Sequence, residues 1–241
     1  MLIFGHRGAA GHAPENTLAS VCKALDLGVD WVEIDVRRVE DALVVLHDST
    51  VNRTTNGRGN VSSFSLRDLR GLDAGGGERI PFLKEVFDLI GRRCGINIEL
   101  KGPGTAGPAA DLAVRCIRER GWSPDRILIS SFDVKELRRV RERSAELPLA
   151  PLSLRLDNDV LDAAAALRAD AVHLHHRFVR SGTVESVHSR NLKLHVYTVN
   201  DVRRIRRLYR LGVDGIFSDY PERVIRVGRA DQGPSPRARS V

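Results

Sequence analysis

Short apolar runs alternate with longer amphipathic segments along most of the chain. Residues 2–5 read as a buried strand that ends at His6-Arg7-Gly8. A Gly- and Ala-rich loop leads to Asn16-Thr17, which can cap a helix carrying Leu18, Val21 and Leu25 on one face and closed by Gly28. The run Trp31-Val32-Glu33-Ile34-Asp35-Val36 is a strand with two carboxylates set into it. A second run, residues 43–46, returns after a bridge too short for a helical crossover, so the two runs predict an antiparallel hairpin ending at His47-Asp48. Folding about residues 40–42 brings His47 level with Asp35 to within a residue, and the face it occupies stays open.

Residues 48–80 break the rhythm. They are rich in Thr, Asn, Gly, Ser and Arg, with a short helical patch near residues 66–69, and read as an insertion. A helix pattern resumes over 82–90. Strands at 96–100, 127–131, 148–152, 171–174, 194–199 and 214–217 then precede helices at 109–120, 134–143, 159–168, 183–190, 201–211 and 221–228. Leaving out the hairpin return, eight strands remain, nearly all followed by helices. That pattern predicts an α/β fold, a (β/α)₈ barrel with a small insertion after the second-strand hairpin, over residues 1–228. A doubly wound open sheet is the competitor, but the first turn lacks the Gly-x-Gly-x-x-Gly pattern. Residues 229–241 read as a disordered tail.

Bulk composition narrows the classes. No apolar run approaches a membrane span, and the start carries no secretory pattern. Three widely spaced cysteines, Cys22, Cys94 and Cys116, form no metal spacing and suggest reduced thiols and a cytoplasmic protein. The formal charge of +7 invites a nucleic-acid reading. Yet only five of the 38 basic residues are lysine, and the arginines are spread along the chain. Their densest cluster, between Arg203 and Arg210, interleaves with Ile205 and Leu208 as a solvated helix face would. A nucleic-acid-binding barrel also gives no reason for several acids at one mouth, so no nucleic-acid partner is expected.

In a barrel the active site lies at the C-terminal strand ends. Chemistry collects there: His6 and Arg7, then Glu33 and Asp35, then Glu99 and Lys101, with Thr198, Asn200 and Asp219 on the last strands. Glu33 and Asp35 share a face because side chains alternate along a strand. Two acids on one buried face repel unless protons or a cation neutralise them. Three carboxylates, Glu33, Asp35 and Glu99, suit a hard divalent cation. His6 and His47 can exchange protons near neutral pH, and Arg7 and Lys101 can offset phosphate charge. Together they suit hydrolysis of a phosphodiester. Other readings stay open at single residues. Glu99 and Lys101 could simply pair, Asn16 could be only a helix cap, Asp48 could start a turn, and Asp219 could cap a helix. His173, His175 and His176 sit at the right level but are not taken as ligands.

His6-Arg7-Gly8, Pro14-Glu15-Asn16-Thr17, Glu33-x-Asp35, His47-Asp48 with Arg53-Thr54-Thr55, Asn97-Ile98-Glu99-Leu100-Lys101, Val199-Asn200 and Asp214-Gly215-x-x-x-Asp219-Tyr220-Pro221 occur in order over about residues 3–225. This ordered set resembles the glycerophosphodiester phosphodiesterase family. The resemblance implies a TIM barrel with an insertion. It also implies one divalent cation, Mg²⁺ or Ca²⁺, on Glu33, Asp35 and Glu99, and His6 and His47 as general base and acid. Arg7 and Lys101 would bind phosphate, with Glu15, Asn16, Asp48, Asn200 and Asp219 behind them. The implied reaction releases sn-glycerol 3-phosphate and an alcohol from a small glycerophosphodiester, a step in lipid and glycerol metabolism, in a monomer or homodimer. Three positions depart from the family's habit, Phe82, Tyr197 and Ser218, so alcohol specificity does not carry over. The alternative is a lysophospholipase D, for which the insertion offers only Phe64 and Leu66 as an apolar approach.

Overall fold

The computed structural model describes residues 1–231. Nine strands form one sheet: β1 (Leu2–Gly5), β2 (Trp31–Val39), β3 (Ala42–Val45), β4 (Gly95–Leu100), β5 (Ile127–Ser131), β6 (Leu149–Ser153), β7 (Ala171–His175), β8 (Lys193–Tyr197) and β9 (Gly215–Ser218). Their order is β1-β9-β8-β7-β6-β5-β4-β2-β3, and pairing of β1 with β2 closes the ring. Eight strands are parallel, and β3 alone runs antiparallel to β2. This is the expected (β/α)₈ TIM barrel.

Among the described residues nine α-helices connect or flank these strands: α1 (Leu18–Leu27), α2 (Leu66–Gly71), α3 (Leu83–Ile90), α4 (Ala106–Arg120), α5 (Val134–Arg143), α6 (Asn158–Leu167), α7 (Ser181–His188), α8 (Val202–Leu211) and α9 (Pro221–Asp231). Their ends follow side-chain chemistry. Thr17, Asp133, Asp157 and Asp201 accept backbone N–H bonds as N-caps. Gly28 ends α1 in the left-handed region at φ 79°. Thr17, and not Asn16, is therefore the cap of α1. The last helix reaches Asp231, three residues past the expected boundary of the barrel. The remaining part of the tail, residues 232–241, lies outside the described residues.

The hairpin runs longer than the apolar run suggested. β2 extends to Val39, and Val39 faces Ala42 across a two-residue turn. Glu40 supplies its positive φ of 51°. The register Val36↔Val45 and the bond from Leu46 N–H to the Asp35 carbonyl bring His47 to the level of the acids. The insertion is not featureless. Val51, Val61, Leu69, Ala74 and Ile80 form a small core with Val39, Val44 and Leu46 of the hairpin. Phe64 and Leu66 pack against that core.

Inside the ring, Phe4, Trp31, Leu128, Ala150, Ala171 and Phe217 cluster from six strands. Residues from so many strands meet only if they point at the barrel axis. Phe4 stacks on Trp31 and Phe217 at 5.6 and 4.4 Å between ring centres. This aromatic plug lies one pleat period below His6 and Glu33 on the same strands.

Two histidines share the interior. His173 and His195 are buried, and their Nε2 and Nδ1 atoms share a hydrogen bond of 3.1 Å. Burial drives the His195 pKa down to about 3, and burial together with His195 holds His173 well below its usual value. Both rings are neutral in the folded protein, whereas the unfolded chain takes up protons below about pH 6.5. The unfolded state then binds more protons, so stability is full above that pH and is lost as pH falls toward 3. Thermal midpoints measured from pH 7 to pH 4 are expected to fall. The fall should be shallower for His195→Gln than for the parent chain, and equal slopes would remove this pair as a cause.

Candidate active site

The acids emerge where β2 and β4 lie side by side. Parallel pairing sets Asp35 opposite Glu99 and Glu33 opposite Asn97. One ligand atom from each of Glu33, Asp35 and Glu99 lies within 4.8 Å of the others, and all three residues are buried. Such a group is costly in a dry site unless its charge is balanced. Partial balance comes from several donors. The Arg7 backbone N–H donates to Glu33 Oε2 at 2.8 Å. Asn16 Nδ2 donates to Asp35 Oδ2 at 2.9 Å, while Asn16 Oδ1 accepts from the Asp35 N–H. Lys101 Nζ touches Glu99 and stands 3.4 Å from Asp35 Oδ1.

Balance is incomplete at Glu33, whose Oε1 is buried without a hydrogen-bond partner among the described residues. Burial and the Asp35 charge push the Glu33 pKa up, and the same two causes raise Glu99. Burial would also raise Asp35, but Lys101 and Arg7 hold it below its usual value. Three converging carboxylates, an unpartnered buried oxygen on Glu33 and two acids of raised proton affinity fit a divalent cation with oxygen ligands.

Two histidines flank the acids, each tied to a carboxylate. His6 follows β1; its Nδ1–H donates to Asp219 Oδ1 at 2.6 Å, and its Nε2 faces Glu33 Oε2 at 4.0 Å. Asp219 is itself positioned by Asn200, whose Nδ2 donates to Asp219 Oδ2 at 2.6 Å and whose Oδ1 accepts the Asp219 N–H. Burial lowers the His6 pKa, but Asp219 and Glu33 outweigh it and the net direction is up. His47 follows the hairpin, and its Nδ1–H donates to Asp48 Oδ1 at 2.6 Å. Burial takes the His47 pKa down despite Asp35 and Asp48. In both dyads the carboxylate fixes the tautomer and leaves Nε2 for proton transfer.

Arg7 sits in a strained turn. Its φ is 51° and that of Gly8 is 85°. A Cβ on Gly8 would come 2.5 Å from the Ser20 carbonyl carbon, so only glycine fits. The turn aims the Arg7 side chain back at the acids, with Nε 3.3 Å from Asp35 Oδ2 and Nη1 donating to Glu15 Oε1 at 2.7 Å. His6, Arg7, Glu33, His47, Glu99 and Lys101 line one cavity of about 230 Å³.

Every site residue expected from the sequence lies in or against this cavity's polar network. Asn16, Asp48 and Asp219 act through side-chain bonds to Asp35, His47 and His6. His173 lies buried beneath the mouth and borders the cavity, while His175 and His176 stand outside it. Sequence reasoning assigned no role to Arg53 in the insertion. It donates to Asp48 through Nε at 2.7 Å and to Glu15 through Nη1 and Nη2 at 2.7 and 2.8 Å. It thus bridges the Arg7 and His47 sides of the site. The run Arg53-Thr54-Thr55, six residues beyond His47, was the available signal. Thr198, 3.5 Å from His6 Nε2, was noted only as a strand-end residue.

Comparisons with known proteins agree with this geometry. The family model described as glycerophosphoryl diester phosphodiesterase matches residues 6–223. A glycerophosphodiester phosphodiesterase of Caldanaerobacter subterraneus subsp. tengcongensis is 36% identical over 238 residues, covering 95% of this chain and 98% of the relative. One from Bacillus altitudinis is 33% identical over 237 residues, covering 93% and 97%. A solved Oleispira antarctica phosphodiesterase, in complex with the product sn-glycerol 3-phosphate, superposes with a TM-score of 0.87 at 30% identity, covering 95% of this chain and 97% of that one. The ordered motifs, the barrel and these matches agree: the chain belongs to the glycerophosphoryl diester phosphodiesterase family.

Proposed function

We propose that the protein hydrolyses glycerophosphodiesters to sn-glycerol 3-phosphate and an alcohol, using one divalent cation, Mg²⁺ or Ca²⁺, and two histidines. The observation that carries this reading is the pair of His–Asp dyads flanking a buried acidic triad. Glu33, Asp35 and Glu99 would hold the cation. When bound, it would supply positive charge that stabilises the phosphoryl oxygens.

The protein's own residues divide the rest. His6 is the deeper imidazole, with its side chain 17% exposed against 33% for His47. Its Nε2 takes the proton from the attacking hydroxyl, which in the route implied by the resemblance is the glycerol 2-hydroxyl. The oxygen–phosphorus bond forms as the bond to the leaving alcohol breaks. His47, nearer solvent, gives its proton to that departing alkoxide. Water then opens the cyclic phosphate with the histidine roles reversed, which restores both protons and yields sn-glycerol 3-phosphate. Arg7 and Lys101 are already paired with the acids. Once a cation neutralises those acids, their positive charge is available to the phosphate.

The primary test is release of sn-glycerol 3-phosphate from glycerophosphocholine by metal-stripped protein, without metal and with Mg²⁺ or Ca²⁺. Activity is expected only with a divalent cation. Glu33→Gln should weaken cation binding measured by calorimetry, while His6→Ala and His47→Ala should keep that binding and lose roughly 10²-fold or more in kcat. Metal-independent release, or full activity of either histidine variant, would count against the mechanism.

Arg53 offers a separate check on the geometry. Arg53 is the largest cause holding the Asp48 carboxyl well below the usual carboxylate range. Arg53→Ala should loosen Asp48 and with it His47. The expected result is a fall in kcat of roughly 10- to 100-fold with a smaller change in KM. Arg53→Lys should recover only part, because a lysine cannot bridge two carboxylates bidentately. A loss confined to KM would assign Arg53 to substrate binding instead.

A further inference from the structure

Arginines are spread along the chain, but their acidic counterparts are not. From β7 through α8, residues 171–211, there are nine Lys and Arg against two Asp and Glu. The other residues balance at 29 of each, so this segment alone carries the formal charge of +7. All nine basic residues are exposed. One of the two acids, Asp201, is engaged as the cap of α8, where it accepts the Arg204 backbone N–H. Surplus charge on an exposed helix face needs no ligand, and Arg203, Arg206 and Arg210 fit that reading. Arg204 and Arg207 differ from them, because they line a concavity.

This concavity of about 310 Å³ lies between α8 and the short turn His176–Phe178 that follows β7. His176, Arg177, Val179, Arg204, Arg207 and Leu208 line it, and none of them lines the catalytic cavity. Val179 and Leu208 are buried, so its polar surface is one imidazole and three guanidiniums. Among the described residues, the Arg177 and Arg207 guanidiniums have no hydrogen-bond or carboxylate partner, and that of Arg204 has only His176 Nδ1. Arg53, Arg70 and Arg143, by contrast, each hold a carboxylate at 2.7 Å. A guanidinium cannot accept, so His176 Nδ1 accepts from Arg204 and the ring proton is on Nε2. Burial, His175 and the guanidiniums push the His176 pKa down to about 4, which keeps that ring neutral.

We propose that this concavity is an anion site, separate from the catalytic cavity, for the phosphate dianion of inorganic phosphate or of a small phosphomonoester. It does not depend on the reaction proposed above. The donor set selects the occupant. The polar side chains that line the concavity offer donors and no free acceptor, so a ligand that only accepts can engage all of them. A single chloride would offset one guanidinium of three. A phosphate dianion brings two charges and several oxygens, in a geometry that guanidinium forks match bidentately. The donors come from two elements, Arg177 and His176 from the turn after β7 and Arg204 and Arg207 from α8. An occupant would therefore bridge them. The uncompensated charge of the surrounding segment would raise the local concentration of anions.

The test is an NMR titration of the full chain at about pH 8 and low salt, where the phosphate is dianionic. The probes are inorganic phosphate, methyl phosphate and, at matched ionic strength, chloride. Resonances of residues 176–179 and 204–208 are expected to shift with a Kd of about 1 mM, the affinity that roughly three charge-assisted hydrogen bonds supply. Arg204→Gln with Arg207→Gln should weaken binding about tenfold or more, and Arg177→Gln, on the other element, should weaken it severalfold. Arg203→Gln with Arg210→Gln removes the same charge from the same helix and should change the Kd by less than about twofold. Tighter binding of methyl phosphate would identify an ester as the occupant, and tighter binding of inorganic phosphate the free ion. Equal losses in the two double variants would overturn the site in favour of a diffusely charged helix face. Chloride matching phosphate, or shifts confined to the catalytic cavity, would also overturn it. A response only to vesicles containing phosphatidic acid would overturn it in favour of a membrane-facing surface.

Discussion

Mutual repulsion among Glu33, Asp35 and Glu99 is the constraint from which the rest of the mouth follows. Parallel registration of β2 and β4 forces these carboxylates together at a depth where water cannot screen them. The surroundings answer with graded compensation. Asp35 receives Asn16, Arg7 and Lys101 and stays ionised, while Glu33 keeps an unpartnered oxygen and a raised proton affinity. Full compensation would make an inert salt-bridge cluster. Partial compensation leaves a demand for positive charge that protons or a cation can meet.

That demand propagates outward as alternating charge. Arg7 leans on Asp35 and is held by Glu15; Glu15 is held by Arg53; Arg53 holds Asp48; and Asp48 orients His47. One end of the chain is the acidic triad and the other is an imidazole that would move a proton. The insertion therefore does more than decorate the barrel. Its small core of Val51, Val61, Leu69 and Ile80 docks on the hairpin and fixes the segment that carries Arg53. An arginine reaching out of an unpacked loop would hold neither carboxylate reliably, because ordering its side chain would cost more than the exposed pairing returns.

Much of this was legible in the sequence because it depends on local periodicity. Alternation along a strand was enough to put Glu33 and Asp35 on one face, and the βα rhythm was enough to send His6, Glu99 and Asp219 to one end of a barrel. Features that depend on register or on distant loops were not legible. The hairpin's two-residue turn needs Glu40 at positive φ, which its side chain does not advertise. Asn16 looked like a cap because it precedes a helix, yet Thr17 caps and Asn16 turns inward at φ 59° to hold Asp35. Arg53 was one arginine among many until folding set two carboxylates beside it.

The aromatic plug beneath the site sets the terms for the chemistry above it. Phe4, Trp31 and Phe217 stack across the barrel axis and are all buried. The plug also removes polarisable water from under the acids, which raises the proton affinity of Glu33 and Glu99 and increases the gain when a cation takes the proton's place. His173 and His195 show the cost of the same dryness, since they remain neutral where an exposed histidine would titrate. A drier interior would bind charge at the mouth more strongly and tolerate protonated histidines less, so acid sensitivity and cation affinity are two consequences of one packed layer.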